Sequence, residues 1–374
     1  MSEIRRCTRC IMDDSSDPTI TFDENGICNY CTQSLIERSK VYFPGTTELG
    51  AGNDRLDELI NKVKENGKGK KYDCIMGLSG GLDSSYLTYL GYKWGLRVLL
   101  VHIDDGYDTD ISKSNIDKLV KATGFDYEVI APDAEQFNAL TLAYMKAGVP
   151  NITVPQDNVL FAFLYKKMKQ YKINYFLSGG NYALESILQQ GNTHSASDLV
   201  NIKAIHKAYG TKPIDKLLFT STYKKRFDSM FLKIKSPRPL NLIDYNRQRA
   251  FNELKEFCGF EYYGRKHLEN ILTAFAQLYW LPKKFGADKR TSHLSSMVIS
   301  GQMTRDEALK EYSEPIYDEK MMNDYIAFIK KSIGISDSEF DEIMKAPTHQ
   351  HTEFKNDETT VMYKLLKKIW DARK

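Results

Sequence analysis

A short run of serines and glycines follows the first strongly apolar segment of the chain, and its residue types are suited to binding a phosphate. Residues 78–85 read L-S-G-G-L-D-S-S and come directly after the apolar run Y-D-C-I-M. The spacing of Leu82, Tyr86 and Leu90 predicts a helix that begins within this run. Hydroxyl groups and bare backbone amides at the N-terminus of a helix form a binding site for anions. The sequence therefore predicts an anion-binding loop between a strand and a helix.

The class of this loop is narrowed by the residues that it lacks. A Walker A loop needs a lysine after its glycines and a dinucleotide fingerprint needs a third glycine, and the run has neither. The carboxylate of Asp83 would repel a phosphate, so we expect it to hold a Mg²⁺ ion that bridges the phosphates. The alternative is a glycine-rich turn that binds nothing. The residues expected to surround a tetrahedral oxyanion are Ser79, Gly80, Gly81, Ser84 and Ser85.

Four of the six cysteines form two C-x-x-C pairs near the N-terminus, a spacing that is typical of a zinc site. Four thiolates can converge on one ion and leave no open coordination position, so we expect a structural zinc without a catalytic role. The alternatives are free cysteines, disulfide bonds, or a redox C-x-x-C motif, which normally opens a helix after a strand. The expected zinc ligands are Cys7, Cys10, Cys28 and Cys31.

From residue 72 onward the chain alternates between short apolar runs and helical segments. The runs YDCIMGL, LRVLLVHID, FDYEVIAP and INYFLSGG are predicted strands with helices between them. Strands separated by helices of this length pair in parallel through right-handed crossovers, which predicts an α/β fold with an open parallel sheet. Beyond about residue 240 helical patterns dominate, with capping boxes that begin at Thr304 and Ser336.

This pattern divides the chain into three predicted modules. Residues 1–45 form the cysteine-bearing head, and residues 43–53 read as a linker. Residues 46–240 form the α/β domain, and residues 241–374 form a helical module for substrate or partner docking.

Composition limits the classes of partner. A net charge of +3 and 27% charged residues are ordinary for a globular protein, and a clear basic RNA-binding extension is hard to find, so nucleic acid is an unlikely partner. We find no apolar stretch long enough to cross a bilayer and no signal peptide at the polar start, so we expect a cytoplasmic protein.

The S-G-G-x-D-S pattern after the first strand resembles the signature of the PP-loop ATP pyrophosphatases. This superfamily includes GMP synthetase, NAD synthetase, asparagine synthetase and tRNA-thiolating enzymes. The resemblance implies a sheet of the adenine-nucleotide α-hydrolase type. It also implies that ATP is cleaved between its α and β phosphates, while the loop holds pyrophosphate.

Two further loops follow predicted strands, and open α/β sheets bind ligands at that edge. The resemblance implies that His102, Ile103 and Asp104 of the run VHIDDG receive the adenosine, although Asp104 or Asp105 could instead be a solvated turn residue. It implies that Glu185 is a second magnesium ligand; the alternative is that Asn181 or Glu185, after the glycine turn, caps a helix. The residues implied to lie against the ATP phosphates are Ser178, Gly179, Gly180 and Asn181.

Four segments from different parts of the chain resemble a more specific family within this superfamily. The cysteine head, GLSGGLDSSY, SGGNYALES and DKRTSHLSSMVISGQMTRDEAL together resemble the N-acetyl sugar amidotransferases of surface-polysaccharide and flagellin-glycan biosynthesis. Their products are acetamidino sugars of lipopolysaccharide O-antigen or of pseudaminic acid. The resemblance implies that ATP adenylates the acetamide oxygen of a nucleotide-activated N-acetyl sugar. Ammonia then displaces AMP.

The resemblance also implies roles for particular residues. The expected catalytic residues are Ser79, Asp83, Glu185 and His293, the last as a candidate general base. Cations beside hydroxyls suit recognition of phosphate or carboxylate, and the alternative is a solvated loop and helix start. The residues expected to bind the anionic sugar nucleotide are Lys289, Arg290, His293 and Arg305.

The nitrogen source must be separate if this interpretation is right. The chain has no N-terminal cysteine nucleophile and no G-x-C-x-G elbow, the two features that mark glutaminases. A separate glutaminase partner is therefore implied, and the family is similar in needing partners that resemble the glutaminase and cyclase subunits of histidine biosynthesis.

Two other functions fit parts of the sequence. A tRNA-thiolating PP-loop enzyme would also explain zinc-binding cysteines, but Cys74, near the loop, has no paired cysteine in sequence. A non-catalytic zinc-headed nucleotide-binding module would require a degenerate loop, and the loop is intact. Release of AMP and pyrophosphate separates the enzymes from the module, and retention of tRNA separates the two enzymes.

Overall fold

A four-stranded parallel sheet organises the computed structural model, which describes residues 4–41, 51–264 and 268–371. The strands are β1 (Cys74–Gly77), β2 (Val98–Ile103), β3 (Asp126–Ile130) and β4 (Phe176–Leu177). Their order in the sheet is β3-β2-β1-β4, and every pairing is parallel. The carboxyl ends of all four strands therefore lie along one edge, and the loops that follow them are neighbours.

Helices surround the sheet and make up most of the C-terminal half. Helices α1 (Asn29–Val41) and α2 (Ala51–Gly67) precede the sheet. The helices between its strands or just after the last strand are α3 (Leu82–Lys93), α4 (Asp110–Thr123), α5 (Ala134–Lys146), α6 (Val154–Gln170) and α7 (Tyr182–Glu185). The later helices are α8 (Leu199–Tyr209), α9 (Thr222–Phe231), α10 (Arg247–Cys258), α11 (Ile271–Phe275), α12 (Leu281–Phe285), α13 (Arg290–Ser300), α14 (Arg305–Ser313), α15 (Glu319–Ile333), α16 (Asp337–Lys345) and α17 (Val361–Asp371).

Successive side chains of a strand point to opposite sides of the sheet, and in the central strands β1 and β2 the side chains on both sides are largely buried. Met76 and Leu100 lie in a core that also contains residues of α3, α4 and α10. Ile75 and Leu99 lie in a smaller core with residues of α6. A third core joins α5, α8, α11, α12, α15 and α16, so the C-terminal helices pack through apolar side chains on earlier helices of the chain.

Local signals in the sequence set several helix ends as predicted. Gly124 adopts a left-handed conformation (φ +65°) and ends α4. Thr304 with Glu307 and Ser336 with Glu339 form complete capping boxes at the starts of α14 and α16. Each satisfies backbone amides that the first turn of a helix leaves without a partner.

The predicted fold class is confirmed: the protein is an α/β protein with an open parallel sheet and a helical C-terminal region. The proposed module boundaries stay a prediction. Residues 43–50 of the predicted linker lie outside the described residues, and α2 begins at Ala51. Among the described residues, no helix combines the length and the apolar character that a bilayer crossing requires.

Candidate functional site

A cleft of about 490 Å³ opens at the carboxyl edge of the sheet, beside the glycine loop. The ends of β1 and β2 line it, together with residues of α6 and of the C-terminal helices. The loop residues that line the cleft are Leu78, Ser79, Gly81, Leu82, Asp83 and Ser84. Of the loop, which the structure describes in full, Gly80 and Ser85 do not line the cleft. Ser85 is instead fully buried.

The loop is held in a conformation that requires glycine. Gly80 has φ +76°, and a Cβ atom there would lie 2.5 Å from the carbonyl oxygen of Ser112. The amides of Ser79 and Gly81 donate to the hydroxyls of Ser84 (3.3 Å) and Ser79 (3.2 Å). The amide of Leu82, at the start of α3, donates to the hydroxyl of Tyr263 (2.8 Å). A phosphate oxygen is a stronger acceptor than a hydroxyl, so an anion in the cleft could take these donors.

The glycines that follow β4 lie directly against this loop. A Cβ atom at Gly179 would lie 3.2 Å from the backbone of Asp83 and Ser84. A Cβ atom at Gly180 would lie 3.2 Å from the Glu185 carboxylate. The glycine pair therefore brings Asp83 and Glu185, which both line the cleft, to the same end of it.

Asp83 and Glu185 have the chemistry of a magnesium site. Carboxylate oxygens are the protein ligands that Mg²⁺ prefers, usually one or two beside phosphate oxygens and water. Tyr245, which is buried, donates a hydrogen bond from its hydroxyl to Asp83. Burial, followed by the charge of Asp83, raises the pKa of Tyr245 well above its usual range, so it stays a donor. The residues present fit the expected ion.

Glu269 places a second carboxylate against the loop from the C-terminal region. The hydroxyl of Ser79 donates to it at 3.4 Å, and a Cβ atom at Gly81 would lie 2.5 Å from the same oxygen. The loop therefore contacts an anionic group of the protein itself. Neither Glu269 nor Tyr263 was predicted from the sequence, because no local motif links them to a loop about 190 residues earlier.

The end of β2 contributes a buried polar network. The ring of His102 bonds to the Leu78 carbonyl through Nδ1 and to the Asp108 carboxylate through Nε2, both at 2.8 Å. Burial favours the neutral imidazole, but the hydrogen bond and charge of Asp108 outweigh it and the pKa of His102 is raised. Burial, with the charge of Asp108, also raises the pKa of Asp105 to about 6. Gln156 and Asn270 donate to the Asp105 carboxylate.

Three further residues predicted to bind the nucleotide, Asp104, Ser178 and Asn181, do not line the cleft. Ile103 and His102 line the cleft, as does Asp105, but Asp104 instead accepts a hydrogen bond from the Gly106 amide in a turn. Asn181 is buried and caps α7 by accepting from the Leu184 amide, which is the alternative considered for it. Ser178 does not line the cleft, and its hydroxyl accepts from the Gly180 amide.

The predicted sugar-binding residues separate into two groups. Lys289 and His293 line the cleft, and burial lowers the pKa of Lys289 to about 8. Arg290 does not line the cleft, and its guanidinium is bound to the Asp288 carboxylate and the Glu314 carbonyl. Arg305 lies away from the cleft, because its guanidinium satisfies backbone carbonyls of the cysteine head.

The four N-terminal cysteines form a compact cluster. Their sulfur atoms all lie within 4.8 Å of one another, and all four side chains are buried. The sulfurs are not joined in disulfides. Backbone amides donate to Cys7 Sγ, Cys10 Sγ and Cys28 Sγ at 3.3–3.5 Å. This donor set fits a tetrahedral zinc ion.

The cysteine head contacts the wall of the cleft. Arg305 Nε and Nη2 donate to the carbonyls of Cys10 and Cys7, both at 3.0 Å. The amide of Ile11 donates to the Ser295 hydroxyl on α13 (3.1 Å). The hydroxyl of Tyr30 accepts from the Gln190 amide (3.0 Å), near cleft residues Asn192 and Thr193. The head therefore supports α13, which carries His293.

One family model matches part of the chain. Residues 269–369 match the family model described as "LPS biosynthesis protein WbpG-like, C-terminal domain". The match confirms the predicted resemblance over these residues. No curated protein sequence matches the chain.

Solved structures with some likeness to the chain include two synthetases. NMN synthetase from Francisella tularensis has 14% identity and a TM-score of 0.29, and the alignment covers 63% of this chain and 95% of that chain. The NH3-dependent NAD synthetase from Campylobacter jejuni subsp. jejuni NCTC 11168, in complex with the nitrate ion, has 14% identity and a TM-score of 0.30, with 58% and 99% covered. We draw no conclusion from scores this low.

The first prediction concerns the glycine loop. Gly80→Ala should weaken Mg-ATP binding at least about tenfold, because the added Cβ would displace the loop from Ser112. Gly69→Ala is the matched control, since Gly69 also has a positive φ (+74°) but has no atom within 4 Å of an added Cβ. Titration calorimetry measures both dissociation constants. Equal affinities for the two variants would contradict the assignment of the loop.

The second prediction concerns the cysteine cluster. The purified protein should contain one zinc ion per chain, and Cys28→Ser should lose zinc and unfold at a lower temperature, because metal binding is coupled to folding of the head. Cys258→Ser is the control, because Cys258 lies outside the cluster. Elemental analysis and thermal unfolding measure both properties. A Cys28→Ser variant that retains its zinc would contradict the site.

The third prediction concerns the pH dependence of stability. The folded protein keeps Asp105 protonated up to about pH 6, whereas the unfolded chain releases that proton near the ordinary value of 3.8. The wild type should therefore lose roughly 3 kcal/mol of stability, relative to Asp105→Asn, as the pH rises from about 3 to 7. Denaturant unfolding at each pH measures this difference. Parallel profiles for the two proteins would show that Asp105 titrates normally.

Proposed function

We propose that this chain, whose residues 269–369 form a WbpG-like C-terminal domain, is an ATP-dependent amidotransferase of lipopolysaccharide biosynthesis. It would convert the N-acetyl group of a nucleotide-activated sugar into an acetamidino group. The products would be AMP and pyrophosphate, and the nitrogen would come from ammonia. We expect it to act in the cytoplasm, where ATP and nucleotide sugars are formed.

One observation carries the proposal: two dissimilar parts of the chain line the same cleft. The loop of residues 78–85 lines one side, in the geometry of an anion site at a helix N-terminus. The segment that matches the lipopolysaccharide-biosynthesis family contributes Glu269, Gln277, Lys289 and His293 to the same cleft. A phosphate site and a sugar-biosynthesis domain that share one cleft favour a reaction between ATP and a sugar substrate.

The loop would bind the β and γ phosphates of ATP. The Glu269 carboxylate lies against the loop now, so we expect it to leave when the triphosphate binds, because two anions cannot share these donors. Bound Mg²⁺, held by Asp83 and Glu185, would supply charge neutralisation for the phosphates. Tyr245 would keep the Asp83 carboxylate in place through its hydrogen bond.

Adenylation makes the acetamide reactive. The acetamide oxygen would attack the α phosphorus, pyrophosphate would leave, and the amide nitrogen would lose its proton. The resulting imidate carries AMP, which is a far better leaving group than an amide oxygen. Ammonia would then form a C–N bond at the imidate carbon as the C–O bond to AMP breaks, and the added nitrogen would lose one proton. The protein would contribute positioning and charge stabilisation.

Lys289 and His293 are the candidates for contact with the sugar nucleotide. They lie one turn apart, at the start and within the first turns of α13, and both line the cleft. The lowered pKa of Lys289 reflects burial, so an anionic group beside it would favour its charged form. We propose His293 as the general base, because it lies in the cleft and the reaction releases protons.

We propose a separate glutaminase as the ammonia source, with a cyclase-like subunit as a further partner. Neither cysteine outside the zinc cluster lines the cleft: Cys74 is buried in β1, and Cys258 lies on α10. The same positions provide no support for thiolation of tRNA, which would need a reactive sulfur near ATP.

The fourth prediction tests the reaction directly. The chain, Mg-ATP, ammonium and a panel of N-acetylated nucleotide sugars should yield AMP and a sugar in which an NH group replaces one oxygen atom. Asp83→Asn should lower AMP release on the order of 100-fold, because the charge that holds the metal is lost. Asp117→Asn is the control, since Asp117 is exposed on α4. Nucleotide chromatography and mass spectrometry measure the products, and release of ADP instead of AMP would refute the mechanism.

A further inference from the structure

A second, smaller cavity lies beside the cleft. Its volume is about 60 Å³. Six residues line both spaces, so the two cavities meet at these side chains: Leu82, Asp83, Tyr263, Gln277, Lys289 and His293. The second cavity therefore reaches the same point as the glycine loop, but from the direction of α10, α13 and α14.

The walls of the second cavity are mostly apolar. Leu184, Leu278, Leu294 and Met297 line only this cavity, and each is at most 9% exposed. One water molecule takes up about 30 Å³ of liquid volume, so the space suits one or two molecules of that size. A sugar nucleotide is far too large for it.

Polar and charged residues also line the second cavity. Four of them do not line the cleft and are partly exposed: Arg247, Tyr262, Arg290 and Glu311. Arg247 bonds to the Tyr262 hydroxyl, and its Nη1 lies 3.8 Å from Met297 Sδ. The charges of Arg247, Glu311 and Asp83 all act on Tyr262.

We propose that this second cavity is the route by which ammonia reaches the adenylated substrate, an inference that rests on the proposed function. ATP and the sugar nucleotide would fill the cleft, so the nucleophile needs another approach to the carbon that carries AMP. That carbon is bonded through oxygen to the α phosphorus and must lie near the loop. Asp83 and Leu82 of the loop line both spaces.

The apolar walls select the reactive form of the nucleophile. Moving an ammonium ion from water into an apolar space costs far more free energy than moving neutral ammonia, so the proton is left in the water outside the cavity. Burial likewise favours the neutral form of the Lys289 amine, which lies where the two cavities meet, and lowers its pKa. Ammonia then attacks the imidate carbon, AMP leaves, and the nitrogen loses one further proton.

Filling the cavity tests the route. Met297→Trp should raise the half-saturating ammonium concentration for AMP release at least tenfold and leave those for ATP and the sugar unchanged. Met303→Trp is the matched control, because Met303 is partly buried nearby but lines neither cavity. Thermal unfolding checks that both variants fold.

Each outcome decides a different point. Unchanged ammonium dependence in Met297→Trp would overturn the route alone, and a raised half-saturation for the sugar instead would show that the cavity holds part of the substrate. A wild-type protein that releases no AMP with ammonium and any N-acetylated sugar would overturn the proposed function and the route together.

A second measurement does not depend on a variant. Wild-type crystals under xenon pressure should show xenon among Leu278, Leu294 and Met297, because an apolar cavity open to small neutral molecules takes up this gas. A crystal without xenon at this position would overturn the route, because the cavity would then be closed to small neutral molecules.

Discussion

The rest of this structure depends on one constraint: other segments of the chain pack against glycines, where no side chain keeps them apart. Three glycines allow it: Gly80 is approached by Ser112, Gly81 by Glu269 and Gly179 by the backbone of Asp83 and Ser84. A side chain at Gly80 would force the loop away from the backbone of Ser112, one at Gly179 would press on the backbone of Asp83, and one at Gly81 would displace the Glu269 carboxylate. The loop therefore joins α4, the end of β4 and the C-terminal region around one candidate anion site, and the cleft exists because these four segments meet there.

The cysteine head is hydrogen-bonded to the wall of the cleft. Its carbonyls accept from Arg305, the Ile11 amide donates to Ser295 on α13, and Tyr30 contacts the segment beside Asn192. The negative charge of the buried Asp17 carboxylate also favours the protonated form of Lys289 and raises its pKa, against the effect of burial. A metal bound by the head would thus stabilise one wall of the cleft, although its coordination shell is closed to substrate.

Local patterns predicted the features that depend on neighbours in sequence. The strand–loop–helix unit at residues 74–93, the αL stop at Gly124 and the capping boxes all follow from residues a few positions apart, and the structure has each of them. The cysteine cluster was predictable for a similar reason, because each C-x-x-C pair is local. Arg305 could not be placed this way, since its partners lie about 300 residues away.

The sequence by itself determined the type of chemistry: an anion loop without a Walker lysine, two candidate magnesium carboxylates and four thiolates at metal spacing. Only the tertiary structure decided which residues meet that loop. Tyr245, Tyr263 and Glu269 reach it from the C-terminal half, whereas Asn181 became a helix cap. The physical reason is that periodicity and caps act within a few residues, whereas a cleft is formed by the packing of apolar faces from distant segments, which no local pattern encodes.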